Sequence, residues 1–335
     1  MPTKPRKNAI RSKLAPRRPD AAKAPAEDAQ FVEVGWNGIS LQAPADWNVG
    51  AVSTDTKDGY LRLDDSSMPR LEVRWQSLDS PLSVEENVDR FATELKRKNR
   101  KAKHKLKIER DTKLVSRRQK RKKSLECFAW TADYQAHGAA WTCGKCNRAV
   151  LVQVIGERDE DLRPLAARVI GSLEDHSEDG WTLWAAYDLR ARVPSDFVAT
   201  TQKLMTGLLE LSFVRDLEKL TLIRYGMANV ALRRTSLLEW SKEKLAPRTH
   251  RDAKLTAVEA EIRGHPGVSA AGDRTRFPHG IARFVVHCMR RSYPDRVICR
   301  VWHCEESNKI YAVEALIDRQ NADLIDDVLG RFQCH

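Results

Sequence analysis

Two thiols separated by two residues, Cys143-Gly144-Lys145-Cys146, form the sharpest chemical motif in this chain. A hairpin that holds both sulfurs on one side can grip a zinc ion as a knuckle, because thiolates are soft ligands. A structural zinc needs four ligands, and the chain has no second Cys-x-x-Cys. Cys304 with His303, Cys299, or Cys334 with His335 could complete the set only if two parts of the chain dock tip to tip. A thioredoxin-like redox pair would place its first Cys at a helix N-terminus, and here the residues after the pair read as a strand. The sequence therefore predicts no stoichiometric metal and no cofactor, with Cys143 and Cys146 as the zinc candidates.

The second candidate is electrostatic. Residues 96–123 hold sixteen Lys and Arg against two acids, and residues 1–28 hold eight against three. These segments contribute +14 and +5 to a chain whose net charge is +12, so the remainder is net acidic. Any polyanion contact belongs to those segments. Lys96, Arg97, Lys98, Arg100, Lys101, Arg117, Arg118, Lys120, Arg121, Lys122 and Lys123 are the expected contact residues for a nucleic acid or an acidic protein. Phosphates would be held by counterion release without sequence reading. No aromatic residue lies between Arg97 and Lys123 to stack on bases, so single-strand recognition is not supported. Nucleotide-binding glycine patterns, His-Glu-x-x-His and a Gly-x-Ser-x-Gly elbow are also missing.

The elements that must position these residues occur twice. At an offset of 161, Cys127, Trp141, Cys143, Asn147 and Val152 fall on Cys288, Trp302, Cys304, Asn308 and Val313. With seven Cys and nine Trp in 335 residues, such matches predict a tandem duplication. Trp141 and Trp302, recurring beside a recurring Cys, are expected to be buried packing residues. The counterpart of Cys146 is Ser307, so a symmetric zinc knuckle is not expected.

Each unit reads the same way. Apolar alternation runs into Pro44 and Trp47, then into Pro194 and Phe197, as a strand entering a turn. Ser83 with Glu86, and Ser236 with Glu239, have capping-box spacing. Val84, Val88, Phe91 and Leu95 then line one helix face. Strands are expected at Leu125 to Trp130, Ala139 to Cys143 and Ala149 to Ile155, and again at Phe284 to Cys288, Ile298 to Trp302 and Ile310 to Leu316. A closing helix follows in each. The expected class is α+β: two tandem copies of an antiparallel sheet of about five or six strands, flanked by helices. The boundaries are a disordered basic tail over 1–29, a first unit over 30–178 and a second over 179–335.

A Gly-Ile-Ser-Leu strand ending in Pro and an aromatic (Gly38 to Trp47), with a closing Val169-Ile170-Gly171-Ser172-Leu173 helix, resembles the fold shared by the photosystem II PsbP proteins and the Ran-binding nucleotide-release factors. The resemblance implies an α-β-α sandwich for each unit and no particular chemistry. An odd Cys count and the lack of an apolar signal core or of about 18 consecutive apolar residues predict a cytoplasmic protein without membrane contact. The function expected is non-catalytic binding or adaptor work through the basic segment. The alternative is an enzyme or metal-dependent module in the cleft between the units.

Overall fold

The computed structural model describes residues 30–53, 55, 57–78, 83–116, 125–245, 253, 255–274 and 293–335. The class is α+β, dominated by antiparallel strands in three sheets. The first large sheet has seven strands in the order β3 (Asn48–Val52), β4 (Asp58–Asp64), β5 (Pro69–Ser77), β9 (Arg148–Glu157), β8 (Tyr134–Cys143), β7 (Glu126–Thr131) and β6 (Lys107–Arg110). The second runs β12 (Val198–Met205), β13 (Leu208–Arg215), β14 (Glu218–Gly226), β18 (Lys309–Ile317), β17 (Arg296–Cys304), β16 (His265–Asp273) and β15 (Thr256–Ile262). The two orders are the same walk through the chain. Seven strands exceed the five or six expected, because short edge strands such as β3 carry little apolar alternation.

A four-stranded sheet lies between the halves: β11 (Leu189–Pro194), β10 (Trp181–Ala186), β1 (Phe31–Trp36) and β2 (Ile39–Pro44). The sequence suggested one strand ending at Pro44 and another ending at Pro194. Both strands are present, as β2 and β11, and each is the second arm of a hairpin whose first arm was not expected. Asn37 and Gly38 (φ 50° and 88°) reverse the chain between β1 and β2, and Tyr187 and Asp188 (φ 53° and 59°) do so between β10 and β11. Positive φ at both central residues is the turn whose twist matches paired strands. Strands β1 and β10 pair antiparallel through Gly35 and Ala185. A Cβ on Gly35 would stand 2.6 Å from the Leu183 carbonyl oxygen, so only glycine permits this approach.

Among the described residues five α-helices cover the sheets: α1 (Val84–Lys98), α2 (Arg163–Gly171), α3 (Ala228–Ala231), α4 (Leu237–Lys244) and α5 (Leu324–Gly330). Helix α1 lays Val88, Phe91 and Leu95 on Phe128, Trp130 and Leu151, the face expected from their spacing. Ser83 Oγ accepts from the Glu86 N–H at 3.1 Å. In α4 the capping box is complete: Ser236 Oγ accepts from the Glu239 N–H and Glu239 Oε2 accepts from the Ser236 N–H. Ser236→Ala should cost about 1 kcal/mol and Ser236→Gly only a few tenths. Urea midpoints at constant slope would read the difference.

The largest core runs through both halves. It joins Leu61, Val73, Trp141 and Val152 of the first large sheet to Trp36 and Trp184 of the middle sheet and to Leu211, Trp302 and Val313 of the second. Trp36 meets Trp184 at 5.2 Å between ring centroids, and Trp184 meets Phe213 at 4.9 Å. Among the described residues no helix is long and apolar enough to cross a membrane.

One expected correspondence is corrected by the topology. Cys127 pairs with Ala139 across β7 and β8, and the matching place in the second sheet, opposite Arg300, is Ser269 of β16. The strand expected over Phe284 to Cys288 lies outside the described residues. So does the tail over 1–29.

Candidate functional sites

The Cys143–Cys146 motif sits where the sequence put it, at the hairpin between β8 and β9, with Asn147 at φ 52° closing the turn. The β17–β18 hairpin has the same form, and Asn308 closes it at φ 51°. What the sequence reading missed is the chain that passes in front of each hairpin. After α2 the backbone bridges to β2, Ser40 N–H to Glu174 O at 2.9 Å and Glu174 N–H to Ser40 O at 2.8 Å. After α5 it bridges to β11, with Gln333 N–H donating to Arg190 O at 2.8 Å. The two residues that follow each bridge, Asp175-His176 and Cys334-His335, are thereby set against Cys143 and Cys304.

Two clusters result. In the first half, Cys143, Cys146, Asp175 and His176 each offer one ligand-type atom, all within 4.8 Å of one another. Cys143 Sγ is 3.5 Å from His176 Nδ1, and Asp175 Oδ1 is 3.2 Å from the same nitrogen. Cys146 Sγ lies 4.0 Å from Asp175 Oδ2. In the second half the set is His265, Cys304, Cys334 and His335, again within 4.8 Å. His335 Nδ1 is 3.4 Å from Cys304 Sγ and 3.5 Å from Cys334 Sγ, and Cys334 Sγ is 3.3 Å from His265 Nε2. Tip-to-tip docking is not needed. Each half assembles four donors from its own elements, which removes the premise on which the absence of metal was expected.

Electrostatics differ between the clusters. Burial, together with the hydrogen bond to Cys143 and the charge of Asp175, pushes the Cys146 thiol up to about 12. At Cys304 burial acts upward, but hydrogen bonds from Ser307 and His335 outweigh it and bring the thiol below its ordinary value. The Cys304 contact in turn raises His335, while burial and the neighbouring His335 lower His265. All the described cysteines are free thiols. Behind the clusters stand the two tryptophans. Trp141, 2% exposed, donates its indole N–H to Asp175 Oδ2 at 2.9 Å. Trp302 is fully buried, and its Nε1 has no acceptor at hydrogen-bond geometry among the described residues. They are packing residues, as expected, with a polar edge turned toward the ligands.

The basic segment begins at the last turn of α1, where Lys96, Arg97 and Lys98 suit the negative helix end. Arg100 and Lys101 follow in a short 3-10 turn, and Lys103, Lys105 and Lys107 lead into β6. All eight are exposed. Among the described residues only Lys98 meets a carboxylate, Glu94 at 2.7 Å. Arg110, by contrast, is held by Glu126 and Asp89. Arg117, Arg118, Lys120, Arg121, Lys122 and Lys123 lie outside the described residues.

No protein family and no curated protein matches this chain. Among solved structures, a chain from the complex of Pseudomonas aeruginosa MucA/MucB aligns over 91% of this chain and 92% of its own length, at 10% identity and a TM-score of 0.18. A TM-score that low carries no argument about fold or function.

Proposed function

We propose that this is a cytoplasmic, non-catalytic binding protein built as a tandem duplication of one PsbP-like α+β unit, over 30–178 and 179–335. Its contact surface is the basic segment of the first unit, and its partner is a polyanion, a nucleic acid or an acidic protein. The observation that carries the reading is the run of eight exposed cations from Lys96 to Lys107, of which one is ion-paired among the described residues. The duplication is supported by the shared strand order and by the paired hairpins at positions 150 apart.

Contact with phosphates of this kind makes log affinity fall linearly with log salt, by about 0.9 per phosphate neutralised on duplex DNA. Lys96→Gln, Arg97→Gln, Arg100→Gln and Lys101→Gln combined should therefore remove up to about four units of slope. Stability should stay within about 0.5 kcal/mol per substitution, because the side chains are exposed. The comparison is made without residues 1–29, which carry positive charge of their own. If that parent fails to bind duplex DNA or RNA at about 50 mM salt, where such contacts are strongest, the nucleic-acid reading is withdrawn.

A second reading, an enzyme or metal-dependent module between the units, has one observation in its favour. A cleft of about 540 Å³ is lined by Glu33, Glu174 and His176 of the first half and by Thr182 and Arg192 of the second. Part of its charge is spent internally, however, since Arg192 pairs with Asp179 at 3.1 Å within the second half and Glu33 pairs with Arg190 at 3.1 Å across the halves. The Glu33–Arg190 pair across the halves fits their docking better than substrate binding.

A further inference from the structure

We infer that each half of the chain holds one zinc ion in a closed four-ligand site. Cys143, Cys146, Asp175 and His176 form the first. His265, Cys304, Cys334 and His335 form the second. The inference is independent of the basic surface.

Geometry is the first argument. A tetrahedral zinc about 2.3 Å from sulfur and about 2.0 Å from nitrogen sets neighbouring S and N ligands about 3.5 Å apart. The sulfur–nitrogen separations here run from 3.3 to 3.5 Å. Thiol–imidazole hydrogen bonds span the same distances, so what points to a metal is that four ligand-type atoms converge within 4.8 Å of one another in both halves.

The second argument is compensation. By place in the fold, Cys143 answers to Cys304, Asp175 to Cys334 and His176 to His335. Cys146 answers to Ser307, which would leave the second site one ligand short. His265 makes up the loss from another element: two residues beyond the Gly267–Trp302 pair, it stands opposite Cys304 across β16 and β17. What is kept between the halves is four donors, not the identity of the residues. A packing role would keep shape and size instead.

Groups behind the ligands complete the picture, as they do at metal sites where they fix ligand orientation. Trp141 occupies Asp175 Oδ2 and leaves Oδ1 toward His176. The indole N–H of buried Trp302 has no acceptor among the described residues, and Trp302 and Cys334 belong to the same packed cluster. Coordination through His335 Nδ1 leaves Nε2 to Glu306 Oε2, 3.4 Å away. Two thiolates with imidazole select zinc over hard cations, which prefer all-oxygen cages. Four protein ligands leave no open position, so both ions are structural. Each ties the segment behind the closing helix to a hairpin tip, and its binding releases the thiol protons to solvent.

The test uses the full chain, expressed with zinc supplied and desalted without chelator. Elemental analysis should give two zinc per chain. His176→Ala should give one and His335→Ala should give one, because each removes a ligand from a separate site. Both changes together should give none. Both side chains are partly exposed, so folding should survive, and circular dichroism checks it. Cobalt substitution of the parent gives a readout that needs no variant: two equivalents should bind with thiolate charge-transfer bands and tetrahedral absorption. Zinc-free protein without cobalt bands overturns the inference. So does a single ion lost in either variant, which would mean one shared site, and so do two ions retained in the double variant.

Discussion

Trp141→Ala should lower the free energy of unfolding by about 3 to 5 kcal/mol, the range for emptying a large aromatic site in a core. The ring is 2% exposed and belongs to the cluster that runs through both halves of the molecule. Two losses add up. The cavity removes contacts with the apolar faces of β8 and β9, and the missing N–H strips Asp175 Oδ2 of its 2.9 Å partner. Trp141→Phe separates them, since it keeps most of the ring volume and loses the donor, and it should cost clearly less than alanine. A denaturant midpoint unchanged in Trp141→Ala would show that the ring is not core.

Glu160→Ala should be of similar size, about 3 to 5 kcal/mol, because it strips a buried guanidinium of its bidentate, buried counter-charge and leaves only the more distant Asp65. Arg70 and Glu160 have side-chain exposures of 5% and 3% and form two parallel N–H···O bonds, Arg70 Nη1 to Oε2 at 2.9 Å and Nη2 to Oε1. The remaining acid, Asp65, is 3.6 Å from Nε. The Glu160 carboxylate also accepts the Glu157 N–H at 3.1 Å, closing the loop after β9. Replacing both partners, with Arg70→Met and Glu160→Leu, should restore a large part of the loss, since matched apolar groups carry no desolvation cost. If the double variant is as unstable as the two single losses added, the pair is not coupled and the reasoning is wrong.

Much of the fold was legible because its signals are local. Ser83 and Ser236 marked helix starts, the Val88, Phe91 and Leu95 face marked what α1 covers, and the Cys143 and Asn147 pattern marked a hairpin. The hairpin between β10 and β11 was not legible, because Tyr187 and Asp188 adopt positive φ without glycine. The equivalent turn at Asn37-Gly38 carries the standard Asn-Gly signal. The metal ligands were only half readable. Cys143 and Cys146 announce themselves by spacing, but His265 is a lone histidine on a strand, and Asp175 and His176 read as linker after a helix. Nothing in local sequence says that a backbone bridge from Glu174 to Ser40 brings them in. A signal was available: aligned on the closing helices, Leu173-Glu174-Asp175-His176 falls on Phe332-Gln333-Cys334-His335, with a histidine at the end of both.

The Gly35–Ala185 pair in the middle sheet bears on ancestry. These two residues are 150 apart, the offset that also relates the Asn37-Gly38 turn to Tyr187-Asp188. If the two units are copies, strand β1 meets its own counterpart antiparallel at equivalent residues, as across a local two-fold axis. That is the geometry of an isologous dimer contact, in which one patch meets the same patch on a second subunit. On the duplication reading, a single-unit ancestor would have been a homodimer joined edge to edge through β1, and fusion turned a concentration-dependent encounter into an intramolecular one. Fusion also freed each half to drift, since a substitution no longer appears on both sides of the axis. On that reading, the difference between Asp175 and Cys334 is a one-sided change that a homodimer of identical chains could not carry.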